Sequence, residues 1–222
     1  MTQKQKIVLF GRGDIAQIAN YYFDIDSNYE VVAFTLDKDY ITEEEYEGKP
    51  MVAFETLAEK YPPSGYKMFI ALSYASMNKL REKKFYEALD LGYELVNYIS
   101  SRCSFLSQYP TGKNCFIFED NTIQPFVKIG DNVTLWSGNH IGHHSTIESH
   151  NFISSHVVIS GHCTIKSNCF LGVNATIHNN ITIEKENIIA AGAIISKNTV
   201  EKGVYLPAKT ILHEKTSDQI KL

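Results

Sequence analysis

Seven of the eight histidines fall between residues 140 and 178: His140, His143, His144, His150, His156, His162 and His178. Imidazole titrates nearest to neutral pH, so such a cluster points to metal ligation, to activation of a nucleophile, or to general acid–base catalysis. A metal needs two to four convergent ligands, usually with help from Cys or a carboxylate. His144 and His162 offer a pair without an evident third ligand, and no metal is expected. No G-x-S-x-G elbow is present to expose a serine nucleophile. A general base suits better: an imidazole that takes a proton from an amine or hydroxyl as it attacks a thioester, with plain solvated surface histidines as the alternative.

The element that must position these side chains is a repeat. From Ile117 to Ile195 every sixth residue is isoleucine or leucine. A helix has a period near 3.6 and a strand a period of 2, so neither produces this column, whereas a parallel β-helix does. A second, mostly small column stands two residues earlier and runs from Val127 through Asn139, Ser145, Cys163 and Cys169 to Ala193. On a three-sided prism one coil takes three hexapeptides, so residues eighteen apart stack about 4.8 Å from one another. His144 then lies against His162, followed by Asn180. Gly138, His156, Asn174 and Gly192 form another column, and His143, Gly161 and Asn179 a third. Polar side chains over glycines make a groove whose floor admits a ligand closely.

The first hundred residues lack the column and read as a small α/β domain. Lys6–Phe10 is an apolar strand, followed by the turn Gly11-Arg12-Gly13 and an amphipathic helix from about Asp14 to Phe23. Val31–Leu36 is a second strand ending at Asp37-Lys38, Met68–Leu72 a third ending at Ser73-Tyr74, and Tyr93–Ile99 a fourth. A charged helix spans about Met77 to Leu91. Strand, glycine turn, helix, strand and terminal acid form a βαβ nucleotide-binding pattern, in which backbone N–H groups meet a diphosphate and the acid takes ribose hydroxyls. The third glycine of the dinucleotide fingerprint is absent, and a plain tight turn is the alternative reading of the two present. The expected organisation is a Rossmann-like domain over residues 1–100, a crossover over 101–113, a β-helix over 114–200 and a C-terminal tail over 201–222.

Composition narrows the function classes. Net charge is −4, from 21 basic and 25 acidic residues without a basic tract, which argues against a nucleic-acid or membrane partner. No apolar run is long enough to span a bilayer, and no leader is evident. The four cysteines show no zinc spacing, and Cys163 and Cys169 read as small buried residues of the inner column. A cytoplasmic protein is expected.

The hexapeptide column, the βαβ front end and the segment Gly142-His143-His144-Ser145-Thr146-Ile147 together resemble the left-handed β-helix acyltransferases. Within these the chain is similar to the family of sialic-acid O-acetyltransferases and nucleotide-aminosugar N-acetyltransferases. The resemblance implies an α/β Rossmann-like domain followed by a left-handed parallel β-helix, assembled as a homotrimer. It implies acetyl-CoA as acyl donor, bound in a groove between neighbouring β-helices, and a nucleotide-linked amino-deoxysugar as acceptor in surface-glycan synthesis. His143 takes the position of the general base, with His144 beside it. Gly142, Gly161, His162, Gly172, Asn174, Ala190 and Gly192 take positions along the CoA groove, and Gly11, Gly13, Asp37, Lys38 and Ser73 positions around the nucleotide-sugar. Two departures stand out: the acidic neighbours of the base are replaced by Gly142 and His144, and the closing G-N-P-A-K appears as Tyr205-Leu206-Pro207-Ala208-Lys209. Transfer to a sugar hydroxyl and a non-catalytic nucleotide-sugar-binding trimer remain the alternatives, the second disfavoured by the histidine cluster.

Overall fold

The computed structural model describes residues 4–220. The N-terminal domain is built from β1 (Gln5–Phe10), α1 (Asp14–Ile25), β2 (Tyr29–Leu36), β3 (Glu45–Tyr46), β4 (Lys49–Ala53), α2 (Leu57–Lys60), β5 (Lys67–Ile70) and α3 (Lys79–Asp90). Its sheet has the order β3-β4-β2-β1-β5, parallel except for the β3–β4 hairpin. The first three expected strands and both helices are present within a few residues of their assigned ends, and a β3–β4 hairpin is added. The fourth expected strand, Tyr93–Ile99, is not part of this sheet, since Leu95 makes only an isolated bridge to Met68 and Tyr98–Ile99 pairs within the β-helix. Chain order reverses at β1, which has β2 on one side and β5 on the other. A crevice therefore opens beyond the carboxyl ends of these strands, where α/β sheets bind ligands.

From Tyr98 onward the chain winds into three parallel sheets of seven, six and four short strands. The register is eighteen residues throughout the repeat: Thr134 pairs with Phe152, His140 with Val158, and Thr146 with Thr164. The inward column from Ile117 to Ile195 is nowhere more than 6 % exposed. Each fully buried isoleucine contributes roughly 1.5–3 kcal/mol of transfer free energy, so the column is the axis that holds the coils together. The small inner column is buried with it, and the Asn139 and Asn151 side chains accept backbone N–H groups one coil on, from Val157 and Cys169, both at 2.7 Å.

The β-helix begins earlier than the repeat suggested. Tyr98–Ile99 pairs with Phe116–Ile117 in the first sheet, and Ser104–Phe105 with Thr122–Ile123 in the second, so the segment expected as a crossover forms most of a coil. The hexapeptide position is occupied there by Ile99, Phe105 and Thr111, and a column defined by branched aliphatics alone does not register it. At the other end Val204–Tyr205 adds a last strand to the first sheet, within the expected tail.

Every coil turns three corners, and at each corner one residue has positive φ. On successive coils these are Asn132, Gly138 and His144; His150, His156 and His162; Asn168, Asn174 and Asn180. Asn and His tolerate the left-handed region better than most residues with a Cβ. Four of the seven clustered histidines are thus corner residues with a conformational reason for their placement, and the cluster as a whole does not argue against a structural role. His143 precedes a corner and has no such constraint.

The N-terminal domain covers the first sheet. Tyr98, Phe116 and Phe152 point outward from it and are buried, with Phe116 ringed by Tyr22, Phe69 and Tyr98. Arg81 of α3 is buried against the same face, donating to Asn78 Oδ1 at 3.0 Å, to the Asn151 carbonyl at 3.1 Å and to Thr134 Oγ1. The corner column Asn114–Asn132–His150 continues this junction: Asn114 bonds both backbone groups of Ile70 and reaches Asn132, which meets His150 Nδ1 at 3.0 Å. His150 Nε2 lies 3.3 Å from the Tyr86 hydroxyl and 3.6 Å from Glu82. His150 is therefore a docking residue.

Candidate active site

Two features could do chemistry: the crevice of the α/β domain and a histidine corner of the β-helix. In the crevice, Gly11 has φ +137°, and a Cβ there would stand 2.5 Å from the Ala71 carbonyl oxygen, so only glycine lets the β1 turn cross β5. Gly13 begins α1 without a side-chain cap, and nothing lies within 4 Å of where its Cβ would be. Ala16 N–H turns back to the Gly13 carbonyl at 2.8 Å, while Asp14 and Ile15 N–H have no acceptor among the described residues, the arrangement that receives a phosphate at a helix start.

A cavity of about 690 Å³ runs from Gly13 to Asp37, lined also by Arg12, Tyr40, Lys83 and Lys84. A second, of about 420 Å³, continues from Gly13 past Ser73 and Tyr74 to Trp136 and Phe152 of the β-helix. Asp37 is engaged by the Lys84 ammonium, which also meets Glu87 at 2.6 Å and lies 5.2 Å over the rings of Phe10 and Phe54. Burial works against that charge, yet the two carboxylates outweigh it and hold Lys84 above its ordinary pKa. Lys38 lines neither cavity, and Glu55 accepts its backbone N–H at 3.1 Å. The cations in the crevice are instead Arg12, Lys83 and Lys84. Arg12 was legible within the glycine turn; the two lysines were not, because α3 is distant in sequence.

At the second feature the expected stacking is realised. His144 and His162 lie with ring centroids 4.8 Å apart and planes within 13°. A Cβ on Gly161 would fall 2.8 Å from His143 Cε1, so that glycine makes room for the His143 ring, and Asn179 Oδ1 accepts the Gly161 N–H at 2.9 Å. His143 is exposed, its backbone N–H held by Gln124 Oε1 at 2.8 Å. Its Nδ1 stands 3.1 Å from His144 Nδ1. The group that orients His143 is therefore the neighbouring imidazole. Packed neighbours that displace water, then the charges of His162 and His143, lower the pKa of His144. A neutral His144 can accept a hydrogen bond from His143 Nδ1–H, leaving His143 Nε2 as a free acceptor.

The structure does not gather all the expected groove residues at one place. Gly142, Gly161 and His162 lie at the corner between the second and third sheets, whereas Gly172, Asn174, Ala190 and Gly192 lie at the corner between the first and second. These corners are the two edges of the second face, which carries His140, Val158 and Ile194 outward. The nucleotide crevice ends at Trp136, just before the first of these edges, and neither of its cavities includes His143 or His144.

The cysteines offer no nucleophile. Cys163 and Cys169 are buried and direct their thiols at the carbonyls of His178 and Glu184, each at 3.0 Å, and burial pushes Cys169 up to about 12.

Residues 127–161 match the family model described as bacterial transferase hexapeptide (six repeats). Among solved structures, the chain is similar to the acetyltransferase domain of PglB from Neisseria gonorrhoeae, with a TM-score of 0.80 at 19% identity over 92% of this chain and 100% of that one. It is similar also to PerB from Caulobacter crescentus in complex with CoA and GDP-perosamine, with a TM-score of 0.78 at 21% identity over 90% and 92% of the two chains. The chain has the hexapeptide-repeat β-helix fold of these acetyltransferases. WeeI from Acinetobacter baumannii shares the fold, with a TM-score of 0.76 at 16% identity over 90% of this chain and 96% of that one. No curated protein matches the chain in sequence. Among the described residues, no helix is long and apolar enough to cross a membrane.

Proposed function

We propose that the protein is an acetyl-CoA-dependent N-acetyltransferase acting on a nucleotide-linked amino-deoxysugar. The observation that carries the reading is the shared architecture, over nine-tenths of both chains, with a protein that binds CoA and GDP-perosamine. The crevice suits such an acceptor. Its inner end offers the α1 N-terminus, Arg12 and Lys83 to a diphosphate, and its outer end offers Trp136 and Phe152 to a sugar ring.

In the proposed reaction the sugar amine attacks the thioester carbonyl, and His143 Nε2 takes the amine proton. The tetrahedral adduct collapses, the C–S bond breaks and the proton on His143 Nε2 passes to the sulfur, so that CoA leaves as its thiol with no acetyl-enzyme. His143 Nδ1–H donates to His144 throughout, so the imidazolium formed during transfer keeps its orientation. Backbone N–H groups at the coil turns are the donors for the thioester oxyanion. Because His143 and the crevice end lie at opposite edges of the second face, one protomer's base serves a neighbour's crevice. The exposed apolar side chains of that face and beyond it, Val158, Ile194, Val204 and Leu206, supply the surface for a homotrimer.

The test is thiol release from acetyl-CoA against UDP-, TDP- and GDP-linked amino-deoxysugars, with wild type and His143→Ala compared. Turnover with one panel member, reduced about 10²–10⁴-fold in the variant, supports the reading. Turnover only with a free sugar hydroxyl would overturn the nucleotide-linked acceptor, and full rate in the variant would overturn the base.

A further inference from the structure

We infer that His143, His144 and His162 form a binding site for one borderline divalent cation such as Zn²⁺ or Ni²⁺, and that the cation and the base compete for the same imidazole. The inference about binding stands on geometry alone, while the competition rests on the proposed function.

The three side chains each bring one ring nitrogen to within 4.8 Å of the other two, and all three are solvent-exposed. The His143 and His144 Nδ1 atoms are 3.1 Å apart. Two nitrogens on a tetrahedral zinc with bonds of roughly 2.0–2.1 Å stand about 3.3 Å apart, so the separation of this pair already fits, and the two rings, now at 87° to one another, turn to aim both lone pairs at one point. His162 completes the set from the next coil. Its ring lies 5.1 Å from that of His143, nearly perpendicular at 86°, and a side-chain rotation closes the remaining gap.

The backbone is already fixed. His162 N–H donates to the His143 carbonyl at 2.9 Å, and the φ values of His144 and His162, +59° and +58°, match those of the corners around them. The ligands are therefore held by the prism, and only side-chain torsions change on binding. An all-imidazole set favours Zn²⁺, Ni²⁺ or Cu²⁺ over Mg²⁺ or Ca²⁺, which require oxygen donors. Three protein ligands leave a fourth position open to water. Because the cation takes Nδ1 of His143, it removes the hydrogen bond to His144 that orients the base.

The experiment is calorimetric titration of the chelator-stripped full-length protein with Zn²⁺, Ni²⁺ and Mg²⁺. Alanine at a corner would strain the backbone, so the variants are His144→Asn and His162→Asn, since Asn132 and Asn180 already hold the same conformation elsewhere in the prism. His156→Asn, at a different corner, is the control. One Zn²⁺ or Ni²⁺ per chain, at least tenfold weaker in either corner variant and unchanged in the control, with no Mg²⁺ binding, is expected. Absence of Zn²⁺ binding by the wild type, or equal binding by the variants, would overturn the site and leave the base reading untouched. In the acetyl-transfer assay the stripped protein should be active and Zn²⁺ inhibitory. Loss of activity on stripping, restored by Zn²⁺, would uphold the site and overturn His143 as a free base.

Discussion

His143 Nδ1 lies 3.1 Å from His144 Nδ1, so one imidazole orients the other without a carboxylate. A carboxylate partner would stabilise the imidazolium by charge, whereas a neutral His144 does so only by accepting a hydrogen bond. On the proposed function, His144→Asn, which keeps the left-handed corner, should lower turnover about tenfold, less than His143→Ala, and should move the acidic limb of the pH–rate profile. A His144→Asn enzyme with an unaltered pH profile would remove His144 from the mechanism.

The separation of crevice and base predicts complementation. Gly13→Val adds bulk where nothing lies within 4 Å, filling the crevice mouth while leaving the fold intact. Homo-oligomers of Gly13→Val or of His143→Ala should be nearly inactive. Unfolding the two together and refolding them should restore turnover, because some interfaces then pair an intact crevice with an intact base. If the mixture stays inactive while mixed oligomers are demonstrable, each chain uses its own histidine.

Arg81 predicts a stability effect at the domain junction. It is buried and satisfies acceptors on Asn78, Thr134 and the Asn151 backbone, and burial lowers its pKa to about 10. Arg81→Met keeps much of the volume but strands those acceptors, at a cost of about 1–3 kcal/mol. Urea denaturation monitored at Trp136, which lies at the same junction, measures the loss.

His150 predicts a pH dependence. Burial lowers its pKa, Arg81 adding to the effect while Glu82 and Asp131 oppose it. A histidine whose folded pKa lies below its unfolded value of about 6.5 binds fewer protons in the native state. Its contribution is therefore fully present above that value and is lost as pH falls through the folded pKa. Comparing wild type with His150→Asn by denaturation from about pH 7 to about pH 5 isolates this slope. The variant suits the corner because Asn132 and Asn168 occupy the equivalent positions on adjacent coils. Parallel slopes for the two proteins would assign the pH dependence to other groups.

The sequence made the prism legible because no other element has a six-residue period, and the eighteen-residue stacking followed from it. His144 over His162 and Gly161 beneath His143 were both readable before any coordinates. The covered face was harder to read. Phe116, Phe152 and Phe170 recur along it, but Thr134 interrupts them, since Arg81 needs a hydroxyl there. Lys83 and Lys84 reach the crevice only because α3 folds back beside β5. The separation of the two groups of residues expected along a CoA groove depends on which corner each occupies, a question of phase that the column alone leaves unposed.

The corners also set a rule for how such a chain can change length. Losing six residues within the repeat would keep every isoleucine inward and every corner left-handed, so the prism would still close. Each later residue would nevertheless move to the next face: a loss upstream of His143 would carry the histidine corner to another edge relative to the docked N-terminal domain, and a loss between His144 and His162 would part those two rings. Upstream of the corner, only whole coils of eighteen residues preserve both the core and the edge on which the histidines stand. Stability therefore counts in sixes and the placement of the histidine corner in eighteens, and a chain shortened upstream by six keeps a sound prism with its histidines on another edge.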